Sequence, residues 1–286
     1  MAGTLYVVAT PIGNLEDISR RAIRILGQVD LIACEDTRRT RILLRHLQLA
    51  TPTESYHRFS ERRKLDRFLD LLRAGKSLAL VSDAGTPTLS DPGAILISAC
   101  RREQIPVVSI PGASAVLTAL ACSSFAGQPF LFHGFLPPKS RQRRQELQKL
   151  ATETAHMVFY ESPERLCACL EDILAVLGDR PALAGRELTK LFEETLEGPV
   201  TELLEHWKRQ RPLGEFTLMV SGCHEESPAT DLQTAVGQVR ELIIREQLAK
   251  KEACRSVSSR VGIAVRDLYQ ELIRTDREKE RSHPDE

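Results

Sequence analysis

Short β-branched runs alternate with amphipathic stretches from the first residues of this chain onward, and no other property narrows its fold as far. Thr4–Ala9, Leu31–Cys34, Ser77–Val81 and Val107–Ile110 are nearly uninterrupted apolar runs, too short for helices. Between them, Ser19–Leu26, Arg39–Leu47, Lys64–Leu72 and Ala94–Arg101 carry apolar residues at helical spacing. A chain that repeats strand and helix in this way predicts an α/β fold, a parallel sheet covered by helices.

A second set follows a small-residue helix that runs through Leu120. Strands are expected at Phe130–Phe135, His156–Tyr160, Leu183–Glu187, Phe192–Glu197 and Glu215–Val220, with helices at Arg141–Leu150, Pro163–Leu177 and Val200–Lys208. Ser123, Ser124, Gly127 and Pro129 mark the junction between the sets. Residues 1–120 and 121–224 are thus expected to form two α/β domains facing each other across a cleft, and 225–286 a helical appendage. Cys223–Thr230 reads as a polar linker and Thr275–Glu286 as a disordered charged tail. The stretch from Ala249 through Gly262 to Tyr269 has the spacing of a helix-turn-helix.

With 39 basic and 39 acidic side chains the formal net charge is zero, so the chain does not coat nucleic acid by bulk electrostatics. No apolar run reaches the length of a membrane span, and Met1–Thr10 lacks the charged leader of an export signal, which predicts a cytoplasmic protein. Its seven cysteines are scattered without paired spacing, so reduced thiols are expected, with neither disulfides nor metal.

Five polar segments sit where predicted strands end. Ala9-Thr10-Pro11-Ile12-Gly13-Asn14-Leu15 is a turn in which glycine permits close backbone approach. Ser82–Gly93 is a long loop of small residues that lacks both a dinucleotide fingerprint and a phosphate loop, which points to a ligand bound through something other than phosphate. In Ile110-Pro111-Gly112-Ala113-Ser114-Ala115 the serine can cap a helix, and the small side chains leave room for a flat ligand. Phe159–Arg165 precedes a helix, and Gly185–Glu194 loads a strand end with both signs of charge. Such charges are a solvated exit or a site.

Taken in order, VATPIGNLEDIS, CEDTRRT, SDAGTPTLSDPG, IPGASA, FYESPER and RELTKLFEE resemble the tetrapyrrole-methylase family, and within it the ribosomal RNA branch. The resemblance implies that S-adenosyl-L-methionine lies in the cleft between the domains. Pro11 would wall it, Asp83, Ala84, Gly85 and Leu89 would hold its methionine end, and Ser114 and Ala115 would flank the sulfonium. Tyr160, Leu166, Ala184, Glu215 and Phe216 would enclose the adenine. The implied reaction is methylation of a cytidine ribose 2′-hydroxyl in 16S ribosomal RNA of the small subunit, by a homodimer, with no DNA or membrane partner.

For such a transfer a base is useful. Glu187 and Lys190, beside Arg186, are the first candidates and Asp36 the next, with Glu35 also available; ion pairing would explain the same residues. Arg38 and Arg39 begin one basic cluster, and Lys139, Arg141, Arg143 and Arg144 form another on a presented loop; both are candidate RNA contacts. A third, Arg58 to Arg67, is interrupted by Glu61 and Asp66 and reads as a solvated helix face, although Tyr56, His57 and Phe59 beside it offer rings for stacking. A small-molecule methyltransferase and a non-catalytic RNA-binding factor are the competing readings.

Overall fold

The computed structural model describes residues 2–223, 232–246, 248–261 and 263–281. These divide into two compact units, Met1–Cys223 and His224–Glu286.

The larger unit holds two sheets. The first is built from β1 (Leu5–Val8), β2 (Leu31–Cys34), β3 (Thr53–Ser55), β4 (Leu78–Val81) and β5 (Val107–Ile110) in the order β3-β2-β4-β1-β5. All its pairings are parallel, which explains why its central strands are apolar on both faces. Helices α1 (Arg20–Gln28) and α2 (Thr37–His46) cover one face through Ile25, Leu26 and Leu44 against Val8, Ile32 and Val81. On the other face, α3 (Glu61–Arg73) and α4 (Ala94–Arg102) set Phe68, Leu72 and Leu96 against Leu5, Leu78 and Leu80. Each such buried side chain contributes about 1.5–3 kcal/mol relative to exposure. The three-residue β3 escapes the apolar reading because its sequence, Thr-Glu-Ser, is polar; it pairs only at the sheet edge.

After α5 (Ala115–Ala121) the chain builds β6 (Phe130–Phe135), α6 (Ser140–Lys149), β7 (His156–Glu161), α7 (Leu166–Leu177), β8 (Pro181–Arg186), β9 (Glu194–Pro199), α8 (Val200–Arg209) and β10 (Phe216–Val220). Their order is β6-β7-β10-β8-β9. Only β6 and β7 run parallel; the other pairings are antiparallel, a departure from the expected parallel sheet. The cause is local: no helix separates β8 from β9, so the chain returns as a hairpin. Helices α6, α7 and α8 bury one face around Phe159 and Trp207. The other face packs Val158, Leu183 and Met219 on Val116 and Ala119 of α5, with Ile12 from the first sheet's leading turn at the margin. This shared apolar seam joins the two sheets within one unit.

The smaller unit contains α9 (Leu232–Glu246), α10 (Lys250–Val261) and α11 (Val265–Arg281), closed around Val239, Cys254, Val257 and Leu268. The expected disordered tail begins too early, since α11 carries Thr275 on through Arg281. Gly262, most of the linker after Cys223 and residues 282–286 lie outside the described residues. No described helix is long and apolar enough to cross a membrane.

Candidate cofactor and active site

The carboxyl ends of β1, β2, β4 and β5 meet at one edge of the parallel sheet, where ligands of open α/β folds bind. Two loops there are stitched together: Thr10 N donates to Gly85 O at 2.9 Å and Gly85 N returns the bond to Thr10 O at 3.0 Å. Asp83 Oδ1 accepts from Asp36 N at 3.0 Å, and its Oδ2 lies 3.5 Å from Arg39. Thr88 and Ser90 adopt φ of 75° and 73°; a β-branched residue there is strained by about 1–3 kcal/mol. The loop is held in that shape at its far end, where Gly93 N donates to the buried carboxylate of Glu61 at 2.6 Å. Its middle reaches the second sheet: a Cβ on Gly134 of β6 would meet Ser90 Oγ at 2.7 Å.

The turn after β1 reaches the second sheet as well. Asn14 N donates to Thr189 Oγ1 at 3.1 Å, and a Cβ on Gly13 would strike the Lys190 side chain. Ile12 and Ala115 from one side, and Gly185, Lys190, Glu215 and Phe216 from the other, line a narrow cavity of about 40 Å³. That volume is too small to enclose a nucleoside.

Ser114 stands at the N-cap position of α5, yet its hydroxyl makes no capping bond and is buried without a partner. The capping role that its position allowed is thus not taken up. A buried hydroxyl without a partner costs about 1–3 kcal/mol, and its chain neighbours Ala113 and Ala115 are small. Gly85, at φ 77°, would carry a side chain only under strain: its Cβ would crowd Ile12 at 3.2 Å. An unsatisfied hydroxyl in a cradle of small residues fits a polar, flat-ended cofactor such as S-adenosylmethionine.

Charge is distributed unequally among the candidate bases. Lys190 donates to Glu187 Oε1 at 2.7 Å and to Glu215 Oε2 at 3.0 Å; although burial opposes it, these bonds raise its pKa. The bonds from Lys190 and from Glu215 N lower that of Glu187 against its burial. Asp36 caps α2 by accepting from Arg38 N, and Arg38 holds it down at about 2. None of the three is therefore poised to take a proton at neutral pH, and their ion pairs are the larger part of their chemistry. Two other carboxyls are shifted the opposite way. Burial, then Asp83, raises Glu35. Burial, then Glu35, pushes Asp91 up to about 6. Asp91 belongs to the strained loop and lies within electrostatic reach of Tyr160, which burial and that carboxylate push up to about 12. Asp91 is absent from the candidates read from sequence because nothing in SDPG distinguishes it from a helix-start aspartate.

Leu166 and Ala184 are fully buried in the core beneath α7 and α8, so their side chains have a packing role there. Arg143 is corrected as an RNA contact: it is buried, pairs with Asp172 at 2.6 Å and donates to the Ala168 and Pro138 carbonyls. Arg144 is also held by Asp172, at 2.5 Å. Lys139 and Arg141 remain exposed. Arg38 is bound to Asp36 and Arg39 faces Asp83. Arg186 lies 5.8 Å over the Trp207 ring and pairs with Glu194. No cluster of potential metal ligands occurs among the described residues.

Two facing sheets whose strand-end loops interlock around a small-residue cradle define a methylase of the tetrapyrrole type. The model of the tetrapyrrole (corrin/porphyrin) methylases matches residues 4–204, and the chain belongs to that family. Among its relatives, the ribosomal RNA small subunit methyltransferase I of Thermotoga maritima is 47% identical over 77% of this chain and 99% of its own length. The protein of the same name from Halalkalibacterium halodurans is 45% identical over 93% of both chains. Solved structures share the fold: the methyltransferase CobJ has a TM-score of 0.59 at 16% identity, covering 78% of this chain and 95% of its own. Uroporphyrin-III C-methyl transferase from Thermus thermophilus, complexed with S-adenyl homocysteine, has a TM-score of 0.55 at 17% identity, covering 76% and 97%.

Proposed function

We propose that this chain transfers a methyl group from S-adenosyl-L-methionine to the 2′-hydroxyl of a cytidine ribose in 16S ribosomal RNA of the small subunit. The observation that carries the reading is the partnerless Ser114 hydroxyl, buried where loops from both sheets meet. The names of the relatives supply the substrate class. When bound, the cofactor supplies an electrophilic methyl group.

The protein's task in such an in-line displacement is mainly to position its reactants. Pro11, Asp83, Ala84, Gly85 and Leu89 would hold the cofactor's methionine end, and Ser114 and Ala115 the region of the sulfonium. Tyr160, Glu215 and Phe216, with the backbone near Leu166 and Ala184, would surround the adenine. Lys190, kept as an ammonium, can donate a hydrogen bond to the ribose and fix its hydroxyl. Glu35 and Asp91 are the groups whose raised pKa suits them to accept its proton. Lys139 and Arg141 remain as RNA contacts on the α6 side, and the three-helix unit as a further one. A homodimer in the cytoplasm completes the reading.

Calorimetry with S-adenosylmethionine, followed by mapping of the methylated nucleotide in small subunits lacking the modification, tests the proposal. Binding in the micromolar range and one ribose-methylated cytidine are expected. Gly85→Val should weaken both, because a β-branched side chain is strained at φ 77° and crowds Ile12. Absence of cofactor binding by the unaltered protein would favour a non-catalytic RNA-binding factor, and methylation of a tetrapyrrole alone a small-molecule enzyme.

A further inference from the structure

Phe59 is 94% exposed, more than any other large apolar side chain among the described residues. One exposed aromatic ring is ordinary; its surroundings are not. The turn that presents it is fixed. Tyr56 N donates to Cys34 O at 2.6 Å, and the Tyr56 ring is buried edge-on against Phe68. The buried Ser60 hydroxyl accepts from His57 N at 3.0 Å and donates to His57 O at 3.1 Å. Glu61 then ties the start of α3 to Gly93 of the strained loop. The ring is therefore held out into solvent by a rigid turn, with the His57 ring 6.2 Å away.

The exposed charge around it is mostly basic. Arg58, Arg62 and Arg63 are exposed, and none has an ion-pair partner among the described residues. Two of the three acidic residues nearby are engaged elsewhere: Glu61 is buried on Gly93, and Glu54 is paired with Lys64 at 3.3 Å and Arg67 at 3.0 Å; Asp66, exposed on α3, is the third. The sequence reading of a solvated face counts Glu61 and Asp66 as interruptions of the cluster; of these, Glu61 turns inward and only Asp66 stays exposed. The structure also inverts the ranking of the basic clusters, since Arg143 and Arg144 are held by Asp172 and Arg38 by Asp36. The turn lies at the site's rim: it leaves β3 beside the carboxyl end of β2, and His57 is close enough to Glu35 to oppose the rise in that carboxyl's pKa.

We infer that Phe59 is a stacking platform for an unpaired base of the RNA substrate, with Arg58, Arg62 and Arg63 gripping the phosphates on either side. The inference rests on the RNA-methylating reading and adds the surface by which the strand is held. A lone ring among unpaired cations suits a polyanion with stackable faces, whereas a protein partner would need a contiguous apolar patch.

The test uses the full chain. Methyl transfer to unmodified small subunits is measured alongside anisotropy of a labelled single-stranded RNA and calorimetry with S-adenosylmethionine. Phe59→Ala should raise both the KM for subunits and the Kd for RNA on the order of 5- to 150-fold. Cofactor affinity and melting temperature should stay unchanged, and Phe59→Trp should restore RNA affinity. Replacing Arg62 and Arg63 together by Gln should lessen the slope of log affinity against log salt by about two. RNA affinity of Phe59→Ala within twofold of the original overturns the inference, as does a defect confined to self-association. Anisotropy reads RNA binding whether or not methyl transfer occurs, so failure of the enzymatic reading and failure of the platform are separable.

Discussion

An ammonium bonded to two carboxylates keeps its proton, and Lys190 is in that position between Glu187 and Glu215. Its chemistry is donation. Lys190→Met should lower kcat by about 10- to 1000-fold while leaving the acidic limb of the pH profile in place. That limb is assigned to Asp91, and activity should fall as pH drops below about 6. Asp91 also makes a stability prediction. Its folded pKa, about 6, lies above its ordinary value of 3.8, so between those values the folded protein binds more protons than the unfolded chain. Stability contributed by this group therefore falls as pH rises through that window. Asp91→Asn, which does not titrate, should melt higher than the original protein at pH 7.5 and lose that advantage near pH 4, as thermal melts across that range would show.

At the scale of elements, the buried pair between α6 and α7 is where a basic residue proved to be architecture. Arg143 and Asp172 are each only 3% exposed at the side chain. Removing one leaves the other charged and buried, so Asp172→Ala should destabilise the fold by about 3–5 kcal/mol. Denaturant melts measure that loss; below the melting temperature, RNA affinity should change little. The apolar run LIAC carried enough information to place β2 to the residue, because it is buried on both faces; FLFHGF placed β6 as well, as an apolar run too short for a helix, although only Gly134 in it is buried. Polar β3 was invisible for the opposite reason. Glycine and small residues marked in the sequence the strand ends whose loops the structure brings together. The pairing of Arg143 and the burial of Glu61 were not readable, because both depend on residues about 30 positions away.

At the scale of the molecule, two sheets share one apolar seam in Met1–Cys223, while α9, α10 and α11 close a core of their own. A chain ending at Cys223 should therefore still fold and bind S-adenosylmethionine by calorimetry. If the three-helix unit grips RNA, filter binding should show weaker affinity after that truncation. The Glu61 to Gly93 hydrogen bond has a consequence for engineering. It fastens the turn bearing Phe59 to the loop beside Ser114, so a graft of residues 82–93 from a relative into this scaffold should succeed only when 57–61 travels with it; a chimera carrying one segment alone would inherit a latch without its catch.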